Sequence, residues 1–381
     1  MKMMFKIVKM TLLSIFIALG AVIILVIIFF KTAPQIGELS TGERLDEMKS
    51  SPQYKEGKFY NSVETNTDFP FSKYVKVMYQ FAANTKGREP EEQIQTIPFD
   101  AQGWESRNEN EIMLTWFGHS SALIKIDGKT ILADPVFGER ASMFSFMGPK
   151  KFDYSYHMTV DQLPSIDLVI ISHDHYDHLD YPTVTQLKGK VKLFYVPLGV
   201  AGHLESWGVP AENIKTFDWW DEANLNEDIR LTFTPTRHFS GRGLTDKFNT
   251  LWGSWVIEGK NQKMYFSGDS GYFPGFKEIG DKFGSFDLAL IECGAYNQEN
   301  WPDIHMQPEQ SVQAALDVNA QIVMPIHWGK YNLALHSWKD PIDRFIKSAY
   351  AKNLSTHTPV VGDIVMIPSE RKELKWWESV K

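Results

Sequence analysis

The chain opens on an uninterrupted apolar stretch that differs from everything after it. From Thr11 to Phe30 it reads TLLSIFIALGAVIILVIIFF, without a charge and with Thr11 and Ser14 as its polar side chains. Because a helix rises about 1.5 Å per residue, these residues are long enough to span the roughly 30 Å hydrocarbon layer of a bilayer. The pattern predicts an uncleaved membrane anchor. A cleaved signal peptide is the alternative, although its apolar region usually has about 7–15 residues.

The lysines on either side of the apolar stretch bear on its orientation. Lys2, Lys6 and Lys9 precede it, and Lys31, Arg44 and Lys49 follow it, so the local positive charge discriminates little between the two sides. A short basic N-terminus that leads directly into an apolar run favours an inside N-terminus. We therefore expect a single-pass protein of the cell membrane whose remainder is extracytoplasmic.

The rest of the chain consists of two regions with different residue patterns. Residues 32–105 are rich in turn-forming and polar residues, with one helical pattern at Ser72–Phe81, and we interpret them as an extension packed on the main domain. From about residue 106 short β-rich runs alternate with helical patterns, which is typical of an α/β fold. The predicted organisation is an anchor at 1–31, the extension at 32–105 and a catalytic domain at 106–381.

The clearest predicted elements lie in that last region. The segment from Glu111 to Pro135 holds three β-rich runs, and the turn Asp127–Gly128 joins the second and third. Further strands are predicted at Leu168–Ser172, Lys192–Val196, Ile229–Thr234, Leu251–Ile257, Lys263–Ser267, Leu288–Ile291, Gln321–Pro325 and Val360–Ile367, and helices at Pro308–Val318 and Pro341–Lys352.

Charge and cysteine content narrow the range of functions. The net charge is −8, and residues 1–31 contain basic residues but no acidic one, so the rest of the chain is more acidic still. Nucleic-acid binding is disfavoured because it depends on neutralisation of phosphates by Lys and Arg. The single cysteine, Cys293, excludes an internal disulfide and a cysteine-based zinc cluster. Any metal must be bound by His, Asp and Glu.

Candidate ligands of that kind cluster in ISHDHYDHLD, residues 171–180. His173, His175, Asp177 and His178 follow directly after an apolar strand. Residues two apart in an extended segment point the same way, so His173 and His175 can face one ion. If the chain then turns into a helix, Asp177 and His178 can face a second ion. Imidazole and carboxylate groups suit zinc, and four such residues within six positions indicate a metal site.

Three further candidates repeat the same arrangement of a strand followed by a ligand. His238, Asp269 and His327 each come just after an apolar run. Open α/β sheets place their sites outside the carboxyl ends of the strands. A lone His after a strand is more often an ordinary loop residue, but together with the 173–178 cluster all three become candidate ligands.

These motifs resemble the metallo-β-lactamase-fold hydrolases, whose signature is HxHxDH followed by separate His, Asp and His ligands. The additional motifs resemble the N-acylphosphatidylethanolamine-hydrolysing phospholipase D group within that superfamily, which includes bacterial homologues with an N-terminal membrane segment. They are WFGHSSALIKIDGKTILADPVF, SGDSGY at Ser267–Tyr272, GAY at Gly294–Tyr296, IHMQPEQ at Ile304–Gln310 and PIHWG at Pro325–Gly329, and the stretch SPQYKEGKFYN also matches. The resemblance implies an αββα sandwich preceded by a transmembrane helix.

The resemblance also implies a ligand assignment. One ion would bind His173, His175 and His238, the second would bind Asp177, His178 and His327, and Asp269 would bridge the two. Two zinc ions are expected, although Mn or Fe also suit such ligands, and they would supply a hydroxide for hydrolysis.

Other residues receive roles next to the metals. Asp269 would orient the nucleophile, and His305 would protonate the leaving alcohol or hold the phosphoryl group, with a surface His near a helix start as the alternative. His119 would steady a ligand loop, and Tyr296 is a candidate substrate contact. Glu292 departs from the small or apolar residue usual in the group, so it is left outside the ligand set.

The substrate class depends on the resemblance and on one loop. Residues 137–149 contain Met143, Phe144, Phe146 and Met147, which either pack the loop onto the domain or form an acyl-chain-facing rim for a phospholipid. A phospholipase D-like phosphodiesterase is therefore expected. A lactone or amide hydrolase and a non-enzymatic membrane-attached metal-binding module are the alternatives. The module is disfavoured because structural zinc sites are usually closed by four ligands. The sequence leaves the oligomeric state open.

Overall fold

The computed structural model describes residues 2–83, 85–106, 111–368 and 375–381. Two parts of the predicted catalytic domain, 107–110 and 369–374, lie outside the described residues, as does residue 1 of the predicted anchor. The predicted division into three parts remains a prediction, and the elements below are those of the described ranges.

The helices are short except at the N-terminus. Those of the described residues are α1 (Lys2–Thr32), α2 (Gly42–Ser50), α3 (Phe71–Ala83), α4 (Ala101–Ser106), α5 (Tyr181–Leu187), α6 (Ala201–Ser206), α7 (Gly275–Phe283), α8 (Pro308–Asp317) and α9 (Asp340–Ala351). Both α8 and α9 lie within a residue of their predicted bounds. Pro308 and Pro341 are in the first turns of these two helices, where the missing N–H of proline costs nothing.

The strands are two to seven residues long. In chain order they are β1 (Tyr54–Lys55), β2 (Lys58–Phe59), β3 (Ile112–Trp116), β4 (Ala122–Ile126), β5 (Lys129–Ala133), β6 (Leu168–Ile170), β7 (Phe194–Pro197), β8 (Ile214–Phe217), β9 (Glu222–Asn224), β10 (Arg230–Thr234), β11 (Ser254–Glu258), β12 (Lys263–Phe266), β13 (Phe286–Glu292), β14 (Ala320–Ile326), β15 (Ser355–Thr356) and β16 (Ile364–Ile367).

Most strands form two seven-stranded sheets of the same design. One has the order β16-β3-β4-β5-β6-β7-β8 and the other β15-β14-β13-β12-β11-β10-β9. In the first, β16, β3, β4 and β5 pair antiparallel, and β5 through β8 pair parallel. In the second, β9 through β12 pair antiparallel, and β12 through β15 pair parallel. Each sheet therefore offers several carboxyl strand ends at one edge.

The burial pattern explains why the strands are apolar at successive positions. Within β4, Ile124 belongs to a core that also contains Trp255 of the other sheet, whereas Leu123 packs with Val184 of α5 and Leu204 of α6. The core that contains Ile124 and Trp255 also includes side chains of α7 and α8. Both faces of the sheets are covered, so both side-chain sets of a strand are buried. The predicted αββα sandwich is confirmed.

The N-terminal helix differs from the others because its apolar side chains are exposed. Within Met3–Phe30 the mean hydropathy over 18 residues reaches 3.3, and by length and composition this helix is suited to cross a membrane. Phe16 is 76% exposed, for example. At the end of the helix, Phe29 stacks on Phe144 with ring centroids 4.7 Å apart. The apolar loop at 137–149 thus meets the end of α1.

Two sequence expectations differ from the structure in instructive ways. β11 begins at Ser254 rather than Leu251, because the backbone N–H of Gly253 donates to the Ser172 carbonyl of the other sheet. β6 ends at Ile170 because the N–H of Ser172 donates to the Asp134 carboxylate at 2.7 Å instead of continuing the ladder. The first contact ties the two sheets together, and the second ties the loops after β5 and β6 of one sheet.

Candidate metal centre

The candidate ligands gather at one edge of the sandwich, between the two sheets. Residues 173–178 follow β6, His238 follows β10, Asp269 follows β12 and His327 follows β14. Three residues outside the predicted ligand set lie at the corresponding ends of other strands: His119 after β3, Asp134 after β5 and Glu292 at the end of β13. The carboxyl ends of parallel strands meet at the same edge of a sheet, so strand order alone brings these distant positions together.

The first group consists of His173, His175, His238 and Asp269. His173 Nε2 lies 2.9 Å from His175 Nδ1, and His238 Nε2 lies 3.3 Å from the same atom. Oδ2 of Asp269 lies 3.8 Å from His173 Nε2 and 3.7 Å from His238 Nε2. The structure therefore brings together the residues predicted for one ion.

The second group lies on the other side of the Asp269 carboxylate. Its Oδ2 is 3.2 Å from His178 Nε2, and its Oδ1 is 3.0 Å from His327 Nδ1. His178 Nε2 is also 3.5 Å from Oδ2 of Asp177. Asp269 thus lies between two sets of side chains, in the position predicted for a bridging carboxylate.

The donor set fits divalent cations. Among the described residues, His178 Nε2, His327 Nε2 and Asp269 Oδ1 are buried without a hydrogen-bond partner. Buried polar atoms are rarely left unpaired. In addition, His173 Nε2 and His238 Nε2 both lie within 3.3 Å of His175 Nδ1 in the first group. A cation between these nitrogens would accept their lone pairs, and the ligand types suit zinc.

A tight turn, rather than a helix, orients the second half of the HxHxDH motif. The N–H groups of His178 and Leu179 both donate to the carbonyl of His175, at 3.0 and 2.8 Å. The helix α5 begins later, at Tyr181. The expected turn towards a second ion is therefore made by this hydrogen-bonded loop, which reverses the chain within three residues.

The remaining ring nitrogens of the candidate ligands contact fixed acceptors. His178 Nδ1 lies 2.6 Å from Oδ2 of Asp134, and His238 Nδ1 lies 2.8 Å from the Ile304 carbonyl. His327 Nδ1, which faces Asp269, also lies 3.1 Å from Ser120 Oγ. Such outer contacts fix the tautomer and ring orientation of a ligand. Asp134 was missed by the sequence reasoning, although it follows an apolar strand just as the candidate ligands do.

His119 contacts the second group without being predicted as a ligand. Its Nε2 lies 2.8 Å from Oδ2 of Asp177, and its ring lies 3.9 Å from that of His327. Burial and the neighbouring His327 lower the pKa of His119 to about 3. The His327 N–H donates to the His119 carbonyl, and the His119 N–H donates to the Trp328 carbonyl, both at 3.0 Å. The backbone of His119 thus contacts the loop that carries His327, and the role of His119 in steadying a ligand loop stays a prediction.

The N-terminal extension holds the loop that carries His238. The side-chain amide of Asn61 accepts from the N–H of His238 at 3.1 Å and donates to its carbonyl at 2.8 Å. One residue earlier, the Arg237 guanidinium donates to the carbonyl of Glu64 and to Thr65 Oγ1. The SPQYKEGKFYN stretch, which ends at Asn61, thus reaches the site directly.

The buried Glu292 and the partly buried His305 form a pair beside both groups. The ring of His305 lies 5.0 Å from that of His238 and 5.2 Å from that of His327, and its Nδ1 is 3.1 Å from Oε2 of Glu292. Burial lowers the pKa of His305, whereas burial and the nearby Asp269 raise the pKa of Glu292. The start of α8 is capped by Gln307, so His305 is not needed for that purpose.

The predicted substrate residues lie in different surroundings. Phe146 is 73% exposed, and Phe144 is half-buried between Phe146 and Phe29. Tyr296 is buried, stacks on His336, and has its hydroxyl bound to Asp340. The structure thus places Tyr296 with the start of α9, and its role in substrate binding remains a prediction.

The chain is similar in sequence to a known protein family and to several known proteins. Residues 129–328 match the family model described as "Beta-lactamase superfamily domain". An uncharacterised protein of Mycobacterium tuberculosis is 38% identical over 335 residues, which cover 86% of this chain and 88% of that protein. The N-acyl-phosphatidylethanolamine-hydrolyzing phospholipase D 1 of Caenorhabditis elegans is 36% identical over 236 residues, 59% of this chain and 65% of that protein.

A solved structure supports the fold independently. Igni18, a metallo hydrolase from Ignicoccus hospitalis, superposes with a TM-score of 0.52 at 20% identity, covering 68% of this chain and 100% of that chain. At this identity the likeness concerns the fold.

Proposed function

Since the chain belongs to the metallo-β-lactamase superfamily and is a metal-dependent hydrolase, we propose a more specific activity for it. We propose that it is a membrane-attached phosphodiesterase of the phospholipase D type. Its proposed substrate is N-acylphosphatidylethanolamine or a related phospholipid. The observation that carries the proposal is the arrangement of two sets of imidazole and carboxylate groups on either side of Asp269, in a chain similar to an enzyme named for that reaction.

The proposed ligands divide as the two sets do. His173, His175 and His238 would hold one ion, Asp177, His178 and His327 the other, and Asp269 both. Two zinc ions are proposed, and Mn or Fe would suit the same ligands. Such ions lower the pKa of water and offset charge on phosphoryl oxygens.

The chain's own residues would then complete the reaction site. The Asp269 carboxylate is held between the two sets and would orient the attacking water towards phosphorus. His305 lies beside His238 and His327, where its ring could give a proton to the leaving oxygen. His119 and Asp134 would keep the Asp177 and His178 side chains in position through their contacts of 2.8 and 2.6 Å.

Access to a lipid substrate is supported by apolar surface close to the anchor. Phe144 lies between the end of α1 and the exposed Phe146. Helix α3 also exposes apolar residues at spacings of three and four, including Phe71, Tyr74, Met78 and Tyr79. It lies beside the loop before His305, where Lys76 pairs with Glu299. These surfaces would contact the bilayer while α1 holds the enzyme there, with the catalytic part outside the cytoplasm.

The experiment that tests the function compares substrates and metal content together. The full chain in detergent micelles is assayed on N-acylphosphatidylethanolamine, on a lactone and on a β-lactam, and its bound metal is measured by mass spectrometry. We expect two equivalents of metal and release of N-acylethanolamine, which Asp269→Asn abolishes. Asp228→Asn, in an exposed loop, is the matched control and should retain activity. Turnover of the carbonyl substrates alone would replace this proposal with a lactone or amide hydrolase.

A further inference from the structure

The carboxylate at the end of β13 is unusually well surrounded by donors. Glu292 is fully buried. Its Oε1 accepts from the backbone N–H groups of Ser270 and Met306, both at 3.1 Å. Its Oε2 faces Nδ1 of His305 at 3.1 Å. Burial of a carboxyl group is costly unless it is hydrogen-bonded, so these three partners are what makes Glu292 tolerable at this position.

The backbone contacts join two loops of the site through one side chain. Ser270 follows the proposed bridging ligand Asp269, and Met306 follows His305. The two loops also approach closely elsewhere, since a Cβ added to Gly271 would lie 1.7 Å from the carbonyl oxygen of Asp303. Oε1 of Glu292 therefore fixes the position of the His305 backbone relative to the Asp269 loop.

The contact with Nδ1 determines which nitrogen of His305 faces the reaction. Because Nδ1 is directed at Glu292, Nε2 is the ring nitrogen that remains to contact a bound substrate. The His305 side chain keeps 11% exposure, whereas that of Glu292 has none, so the pair has one accessible end. That end lies beside the rings of His238 and His327, which belong to different proposed metal sets.

We propose that Glu292 is a positioning residue which holds His305 with Nε2 directed at the leaving oxygen of the phosphodiester and keeps that nitrogen protonated until the bond breaks. The inference rests on the proposed function for the identity of the leaving oxygen. The orientation of His305 by Glu292 can be measured without any turnover.

The proton balance of the step involves only this pair, water and substrate. Before the step the pair holds two protons, one between Glu292 Oε2 and His305 Nδ1 and one on Nε2. The oxygen of water forms a bond to phosphorus, the bond from phosphorus to the leaving oxygen breaks, and that oxygen keeps the electron pair and takes the Nε2 proton. The remaining proton stays on Nδ1 against an ionised Glu292. The proton lost by the attacking water then returns to Nε2 of His305, so the pair again holds two protons.

The kinetic test uses Glu292→Gln with two phosphodiesters that differ in their leaving group. The glutamine oxygen can still accept from Ser270 and Met306, but its NH₂ group would donate to Nδ1 and leave a neutral ring that is a poor acid at Nε2. Positioned proton transfer contributes about 100- to 10,000-fold. We expect kcat for N-acylphosphatidylethanolamine to fall about 100-fold with KM unchanged, and kcat for a p-nitrophenyl phosphodiester, which needs no acid, to change less than about threefold.

Two further variants separate positioning from general damage. In the double variant Glu292→Gln/His305→Gln, the loss should equal that of His305→Gln alone, because residues that act as a unit are not additive. Glu309→Gln, a nearby carboxylate that pairs with Arg344, is the matched control and should leave the leaving-group dependence unchanged. Equal losses on both substrates in Glu292→Gln, or loss of bound metal, would show a purely structural carboxylate and overturn the proposal.

A spectroscopic measurement separates this proposal from the proposed function. Nitrogen-15 spectra of the histidine rings, in the metal-loaded full chain, identify the His305 signals by their absence in His305→Gln. We expect a proton shared between Nδ1 and the Glu292 carboxylate in the wild type, and an unprotonated Nδ1 that lacks this shared proton in Glu292→Gln. If wild-type spectra show this state but no phosphodiester is hydrolysed, the proposed function fails while the positioning stands. If Nδ1 is unchanged in the variant, the positioning fails whatever the substrate.

Discussion

His178 Nδ1 donates to Oδ2 of Asp134 across 2.6 Å, and both side chains are fully buried. Asp134 follows β5, and His178 belongs to the loop after β6, so this bond joins neighbouring parallel strands at their carboxyl ends. Ser172 extends the contact, since its N–H and hydroxyl both donate to the same carboxylate. The ring of His178 is therefore fixed by the sheet and not only by a metal.

Replacing Asp134 with Asn should weaken metal binding without removing a ligand. The amide can still contact His178, but it provides a weaker acceptor and leaves the ring less basic. Loss of such an outer partner typically costs about 10- to 100-fold in metal affinity. Competition with a chelator of known affinity measures the change. Asp127→Asn, at the opposite end of β5, is the control, and equal affinities in the two variants would contradict the role of Asp134.

The apolar rim makes a prediction about substrate presentation. Replacing both Phe144 and Phe146 with Ser removes the aromatic contact between the 137–149 loop and Phe29. The rim would act by contacting bilayer lipid, and each buried CH₂ group that is lost costs roughly 0.8 kcal/mol of that contact. We therefore expect turnover of vesicle-borne substrate to fall about tenfold or more. Turnover of a soluble phosphodiester should stay within about twofold. An equal loss on both substrates would mean that the loop only supports the fold.

The close approach of the Asp269 and His305 loops makes a steric prediction. Gly271→Ala would place a Cβ 1.7 Å from the Asp303 carbonyl oxygen, which is backbone and cannot rotate away. Overpacking of this kind costs about 1–3 kcal/mol and shifts the backbone. We expect lower thermal stability and a loss of phosphodiesterase activity of about 10-fold or more. Gly189→Ala, where nothing lies within 4 Å, is the control, and its activity should match the wild type.

The ligands that could be predicted from the sequence each come straight after an apolar strand. The residues that were missed either have no such pattern or are part of another local motif. His238, Asp269 and His327 could be found because each comes straight after an apolar strand in a chain that already showed HxHxDH. Asp134 follows a strand as well, but as part of Asp-Pro it has the appearance of a turn. Helices α5 and α6 were missed because seven and six residues do not establish a helical period.

Contacts between distant segments could not be predicted from patterns at all. The pairing of Asn61 with the backbone of His238 joins residues 177 positions apart. The contact between the Ser270 N–H and the Glu292 carboxylate likewise depends on how the loops after β12 and β13 fold over one another. Periodicity reports which face of an element is buried, whereas such contacts follow from the tertiary arrangement of irregular loops.

Lys330 gives a prediction for the pH dependence of stability. Its ammonium group is buried and donates to the carbonyls of Phe117 and Val136, at 3.1 and 2.7 Å. Burial, with a smaller contribution from Lys151 that Asp180 opposes, lowers the pKa of Lys330 from 10.5 to about 7. Between those values the unfolded chain binds the proton and the folded chain does not, so the contribution of this group to stability rises with pH.

The variant Lys330→Met removes that dependence. Below about pH 7 the wild type carries the full cost of a buried charge, and this cost is relieved as the pH rises towards 10.5. We expect the free energy of unfolding of the wild type, relative to Lys330→Met, to increase by roughly 3 kcal/mol between pH 7 and pH 10, since each pKa unit corresponds to about 1.4 kcal/mol. Urea unfolding of the full chain in micelles with a chelator present measures it. Lys260→Met, an exposed lysine, should follow the wild type, and a constant difference for Lys330→Met would contradict the burial of its charge.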